Sequence, residues 1–205
     1  LLLARSGYRP LVLERGTALD ERIRAVSHFE KTGELNPNAN IQFGEGGAGT
    51  FSDGKLTTRV GDPLCAFVTR AFLDHGAPAD IAWRQKPHVG TDLLRDVIRS
   101  IRGEIESLGG EVRFNTALTG LQIRNGALTG IDTTAGSVAC EQLILAVGHS
   151  ARDTFAMLHE LGLPLACKPF SVGFRAEHLQ TEIDKSLYHG AAGHPALPKG
   201  EYQLS

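Results

Sequence analysis

LLLARSGYRPLVLERG, residues 1–16, is the stretch on which the fold is decided. Leu1 to Ser6 hold no helix breaker, and Gly7 can adopt the left-handed conformation that ends a helix. Tyr8-Arg9-Pro10 then makes a tight turn. Leu11-Val12-Leu13 reads as a short buried strand closing on Glu14-Arg15-Gly16. A helix, a turn and an apolar strand ending in an acid form the second half of a Rossmann-type βαβ unit, where that acid binds the ribose hydroxyls of a dinucleotide. Taken alone, a single acid at this place is more often a solvated strand end. The glycine fingerprint belongs about 20 residues before the acid, and counting back from Glu14 runs past Leu1. The expectation is therefore a unit whose first strand and glycine loop lie outside these 205 residues.

Downstream, residues 17–40 are polar and turn-rich, and Ile41-Gln42-Phe43 is a brief strand-like approach to GEGGAGTFSDGK, residues 44–55. Gly44, Gly46 and Gly49 satisfy GxGxxG letter for letter. The context speaks against a dinucleotide fingerprint, because no amphipathic helix follows and the acid near the required distance, Asp62, sits in a Gly-Asp-Pro turn. Freed backbone N–H groups followed by Ser52 and Lys55 suit a phosphate- or flavin-facing loop better. The competing reading is a glycine-rich surface loop.

The remaining chain alternates period. A helix is expected over 64–75, broken by Gly76-Ala77-Pro78. A second runs over 92–108 with Thr91 as N-cap and Gly109-Gly110 as stop, its apolar residues Leu93, Leu94, Val97, Ile98, Ile101, Ile105 and Leu108 on one face. Short strands are expected over 111–114, 118–124, 128–133 and 137–139. A buried return strand is expected over 142–148, a helix over 151–161 and a further strand from Phe170 to Ala176. Composition excludes several function classes. A net charge of −2 with 21% charged residues leaves no basic footprint for nucleic acid or an anionic membrane surface. Cys65, Cys140 and Cys167 stand too far apart for a zinc site, a disulfide framework or a dithiol centre, and no metal-ligand spacing occurs.

These stretches together resemble FAD-dependent oxidoreductases of the glutathione-reductase-like FAD/NAD(P)-binding superfamily. More narrowly, LNPNANIQFGEGGAGTFSDGKLTTR, KPHVGTD, AVGHSARDTF and FSVGFRAEH are similar to a bacterial and plastid group of uncharacterised FAD-dependent dehydrogenases. The resemblance implies an α/β fold: a Rossmann-like three-layer arrangement of parallel sheet, helices and β-meander, truncated at both ends. Residues 1–60 would form the first part of the FAD-binding domain, 61–88 a helical excursion, 89–163 its helix, meander and return strand, and 164–205 the start of a substrate or cap domain. It implies FAD contacts at Glu14, Arg15, Gly46, Gly47, Gly49, Ser52, Asp53, Gly54, Lys55, Ala117, Ala146, Val147, Gly148 and His149. No catalytic residue is singled out. Arg152, Arg175 and His149 are weak candidates, as charges or hydrogen-bonding groups near a flavin that performs the hydride chemistry itself.

The expected activity is transfer of hydride or electrons between an organic small molecule and FAD, with NAD(P)H as a candidate donor, in the cytoplasm, with no nucleic-acid or membrane partner. A nicotinamide-binding Rossmann dehydrogenase and a flavin-binding protein without turnover stay open as alternatives. The 205 residues in isolation are expected to be inactive and to bind FAD weakly.

Overall fold

The computed structural model describes residues 1–51, 56, 58, 60–84, 89–170, 172–174 and 176–202. Two compact units divide the chain, Leu1–Pro164 and Leu165–Ser205.

In the first unit α1 (Leu2–Arg5) leads through the turn at Pro10 into β1 (Leu11–Leu13). The helix α2 (Leu19–Thr32) follows, then α3 (Cys65–Asp74) and α4 (Thr91–Ser107). Next come β2 (Glu111–Arg113), β3 (Leu118–Arg124), β4 (Ala127–Thr133), β5 (Gly136–Ala139) and α5 (Arg152–Glu160). The class is mixed α/β. β1 pairs with β2 in parallel, Leu11 opposite Glu111 and Leu13 opposite Arg113. The connection between them is the long helical crossover that a parallel pair requires. Beyond the strands the pairing continues: the Glu14 N–H donates to Arg113 O at 2.9 Å and the Thr116 N–H to Glu14 O at 2.9 Å. β3, β4 and β5 form a separate antiparallel meander.

The core lies where α4 meets the end of α3 and its following turn. Ala77, Ile81, Val89, Leu94 and Val97 are buried together, with Phe72, Leu73, Ile98 and Ile101 packed on them. α4 begins one residue earlier than expected, with Gly90 rather than Thr91 capping it, a shift within the ordinary fraying of helix ends.

Four expectations are corrected. Residues 17–40 hold a 14-residue helix rather than turns. Leu19, Arg22 and Val26 are buried at helical spacing, Asp20 and Glu21 face the positive N-terminal end, Lys31 sits in the last turn, and Gly33 ends the helix in the left-handed conformation. Residues 41–43 form no strand. The return strand over 142–148 is absent as well. Ile144 is 75% exposed there, and no ladder hydrogen bond involves the segment, because among the described residues no strand lies beside it to complete one.

The second unit holds α6 (Gln180–Tyr188), which the sequence reading did not anticipate, and no strand at the described residues between 170 and 176. Phe174 is 105% exposed there. No helix among the described residues is long and apolar enough to cross a membrane.

Candidate functional site

Three stretches far apart in sequence meet at the end of β1. The first is Glu14-Arg15-Gly16. Glu14 Oε1 accepts the Gly16 N–H at 2.7 Å and, from the second stretch, the Gly44 N–H at 3.1 Å. A Cβ on Gly16 would sit 2.6 Å from Asn38 O and from the Gly44 backbone, so glycine is what lets the two loops touch. The third stretch is the start of α5. Arg15 Nη2 donates to Asp153 Oδ2 at 2.6 Å and lies 3.5 Å from Thr154 Oγ1, while its guanidinium stacks 5.1 Å from the centre of the Phe43 ring. The hydrogen bond from Arg15 holds the Asp153 carboxyl below its ordinary range, against the opposing effect of partial burial. Ser150 Oγ donates to Gln42 Oε1 at 3.3 Å, joining the second and third stretches again.

Behind this junction lies a layer of buried charge. Arg22, on the inner face of α2, is 0% exposed. Its Nε donates to Asn40 O at 2.9 Å, Nη1 to Glu45 O at 2.6 Å and Gly44 O at 3.2 Å, and Nη2 to Ile41 O at 3.0 Å. The Phe51 ring lies between Arg22 and Arg95, at 4.8 and 5.2 Å from their guanidinium carbons. Burial pushes the Arg22 pKa down to about 10, with Glu14 and Glu45 pulling it back up, so the side chain stays charged at neutral pH. Glu45 is 6% exposed. Its Oε2 accepts the Leu19 N–H at the start of α2, 2.8 Å away, and its Oε1 pairs with Arg102 Nε at 2.7 Å. Between α4 and the β1–β2 pair is a largely apolar cleft of about 170 Å³, lined among others by Glu14, Glu45, Gly46, Ile98 and Phe114.

The expected site residues divide accordingly. Glu14 and Arg15 stand at the junction. Ala117 lies on the segment leaving β2, where it exchanges hydrogen bonds with Thr134 and follows Asn115, whose N–H donates to Gly16 O at 2.9 Å. Gly46, Gly47 and Gly49 belong to the turn beside Glu45. His149 lies 3.3 Å from Ser150 Oγ through Nε2. Ala146, Val147 and Gly148 make no hydrogen bond to the junction among the described residues. Arg152 is exposed on the first turn of α5, without a side-chain hydrogen bond among those residues. Ser52, Asp53, Gly54, Lys55 and Arg175 lie outside the described residues.

Sequence reasoning passed over Arg22, Glu45 and Asp153. For Arg22 a signal existed, since it occupies an apolar-face position between Leu19 and Val26. Asp153 carried a weaker one, an acid in the first turn of a helix. Nothing in the sequence marked Glu45.

Comparison with known proteins supplies the rest. The family FAD dependent oxidoreductase (DAO) matches residues 94–201. The chain is 47% identical over all 205 residues to an uncharacterized protein of Clostridium beijerinckii (strain ATCC 51743 / NCIMB 8052), and it spans 38% of that protein's length. Among solved structures, glycine oxidase from Bacillus cereus ATCC 14579 has 13% identity and a TM-score of 0.45, over 78% of this chain and 54% of that one. L-Amino acid deaminase from Proteus myxofaciens, in complex with anthranilate, has 14% identity and a TM-score of 0.38, over 80% and 44%. The two structural likenesses are too slight to carry a conclusion.

Proposed function

We propose that this chain, which belongs to the FAD-dependent oxidoreductase family and has FAD as its cofactor, holds the adenosine end of FAD at Glu14 and serves an enzyme passing hydride or electrons between an organic substrate and the flavin. The residues at the end of β1 fit that end of the cofactor. Glu14 Oε1 is occupied by two backbone N–H groups, whereas Oε2 accepts no hydrogen bond among the described residues. Thr17, the residue after Gly16, has its Oγ1 buried without a partner. A carboxylate oxygen and a hydroxyl with unused capacity suit a ribose diol, which needs an acceptor for each of its O–H groups.

When bound, FAD supplies the hydride and electron transfer itself. The chain's part is to bind and orient. Glu14 accepts from the ribose, Arg15 is held by Asp153 and Phe43, and the turn at Gly46 offers backbone N–H groups to the phosphates. A cation near a flavin would stabilise its reduced anion, but Arg152 adjoins Asp153, which pairs with Arg15 beside Glu14, so in this reading it stands at the adenosine end and is not given that role. We place these residues in a Rossmann-like layered domain, with residues 164–205 opening a substrate domain and NAD(P)H as a donor to be tried.

The observation that carries this reading is the convergence on Glu14 of two loops from a chain of this family. Its test is the visible spectrum of the full-length protein as purified. Flavin bands that fade anaerobically with substrate or reduced nicotinamide, and FAD affinity about tenfold or more weaker in Glu14→Gln, are the expected results. A colourless protein that takes up no added FAD would remove the proposal.

A further inference from the structure

A buried arginine usually meets carboxylates; Arg22 meets peptide carbonyls. Its fork takes the oxygens of Asn40, Ile41, Gly44 and Glu45, all from the turn that carries Gly44 to Glu14. Each peptide plane is rigid and trans, so its N–H points opposite to its C=O. Fixing four carbonyls from behind therefore fixes the direction of the N–H groups on the other side of the turn. The Glu45 N–H goes to Thr17 O at 3.1 Å. The Gly46 N–H, antiparallel to the Glu45 carbonyl on Arg22, meets no acceptor among the described residues. The Gly44 N–H, in the peptide whose Phe43 carbonyl accepts the Asn40 N–H at 3.1 Å, lies next to the Gly44 carbonyl held by Arg22 and donates to Glu14 Oε1. Gly44 has φ +118°, and a Cβ there would run into the Arg22 side chain. Turn and arginine are fitted to one another at this place.

We infer that Arg22 is the positioning residue of the FAD site: held behind the 40–46 turn, it fixes the peptides around Gly44 and so the place of the Gly44 N–H that orients the Glu14 carboxylate, and with it affinity for the adenosine half of the cofactor. The inference rests on the assignment of Glu14 to the ribose. Lysine cannot replace this arginine, because one ammonium has no planar fork to reach four carbonyls in a row.

The test compares FAD with FMN, which carries the same isoalloxazine and lacks the adenosine. Affinities of the full-length apoprotein for each are read by flavin fluorescence in wild type, Glu14→Gln, Arg22→Lys and the double variant. Arg22→Lys is expected to weaken FAD by about 10- to 100-fold, the range for losing hydrogen bonds of a charged group, and to leave FMN within about twofold. The double variant is expected to bind FAD little worse than the weaker single, because the two residues act as one unit. Equal losses for FAD and FMN in Arg22→Lys would overturn the inference and make Arg22 a general stabiliser. So would loss of FAD in Glu14→Gln with none in Arg22→Lys. If Glu14→Gln leaves the FAD-to-FMN ratio unchanged, the ribose assignment itself falls. Should Arg22→Lys not fold, Phe51→Leu removes the ring that lies against the Arg22 and Arg95 guanidiniums. It is expected to give a smaller loss confined to FAD, and an unchanged ratio there would equally overturn the inference.

Discussion

Glu45 carries a buried charge between two demands, the Leu19 N–H and the Arg102 guanidinium, and it also offsets the buried Arg22. Removing such a partner strands the charges left behind. Glu45→Ala is therefore expected to lower the unfolding free energy by about 3 kcal/mol, toward the lower end for buried pairs since Arg102 is partly exposed; urea denaturation measures it. Glu45→Gln, which keeps an acceptor for Leu19, is expected to cost less. Residues of this kind were the hardest to read from sequence. The place of Glu14 at the end of a strand was legible because an apolar strand leads to it and a turn follows. Arg22 was hidden because it sat in a stretch whose polar letters concealed a helical face, and Glu45 because a turn residue has no period to betray burial. The GxGxxG letters were set aside on context, and at Gly44 the glycine answers to the Arg22 side chain behind it.

Among the elements, α4 organises the first unit. Leu94 sits in the central cluster with Val97 and Ile81, and Leu94→Ala is expected to cost about 2–5 kcal/mol, the span for emptying a core site, again by denaturant. On its outer side α4 ties α1 and α3 together through Glu104. Arg5 donates to both carboxylate oxygens, at 2.6 and 2.8 Å, and the His75 ring spans Ser100 Oγ at 2.8 Å and Glu104 Oε2 at 2.9 Å. The Arg5 hydrogen bond, ahead of the smaller pull of His75, holds the Glu104 carboxyl below its ordinary range. A depressed carboxyl contributes stability above its unfolded pKa and loses it as pH falls through the folded one. Wild type and Glu104→Gln are thus expected to differ in Tm near neutral pH and to converge once the pH drops below the ordinary carboxylate range. α4 was legible because seven apolar residues repeat at 3.6. Residues 142–148 were not, because an apolar run marks a strand only if a neighbouring strand accepts its hydrogen bonds, and a linear sequence does not say whether one stands there.

On the scale of the molecule, the two units differ in what they bury. The first has the cluster around α4; among the described residues of the second, only Gly200 is buried. Local opening costs least where few apolar contacts must break. Hydrogen exchange should accordingly run faster in the amides of α6 than in those of α4, and equal protection in the two helices would contradict this account.

Among the described residues β1 is paired on one side only, and Val12 at its centre is 40% exposed. Such a margin is a template on which another chain can crystallise its own backbone. Concentrated preparations of these 205 residues should accordingly show turbidity that depends on dilution history, and a lysine at position 12 should keep them clear.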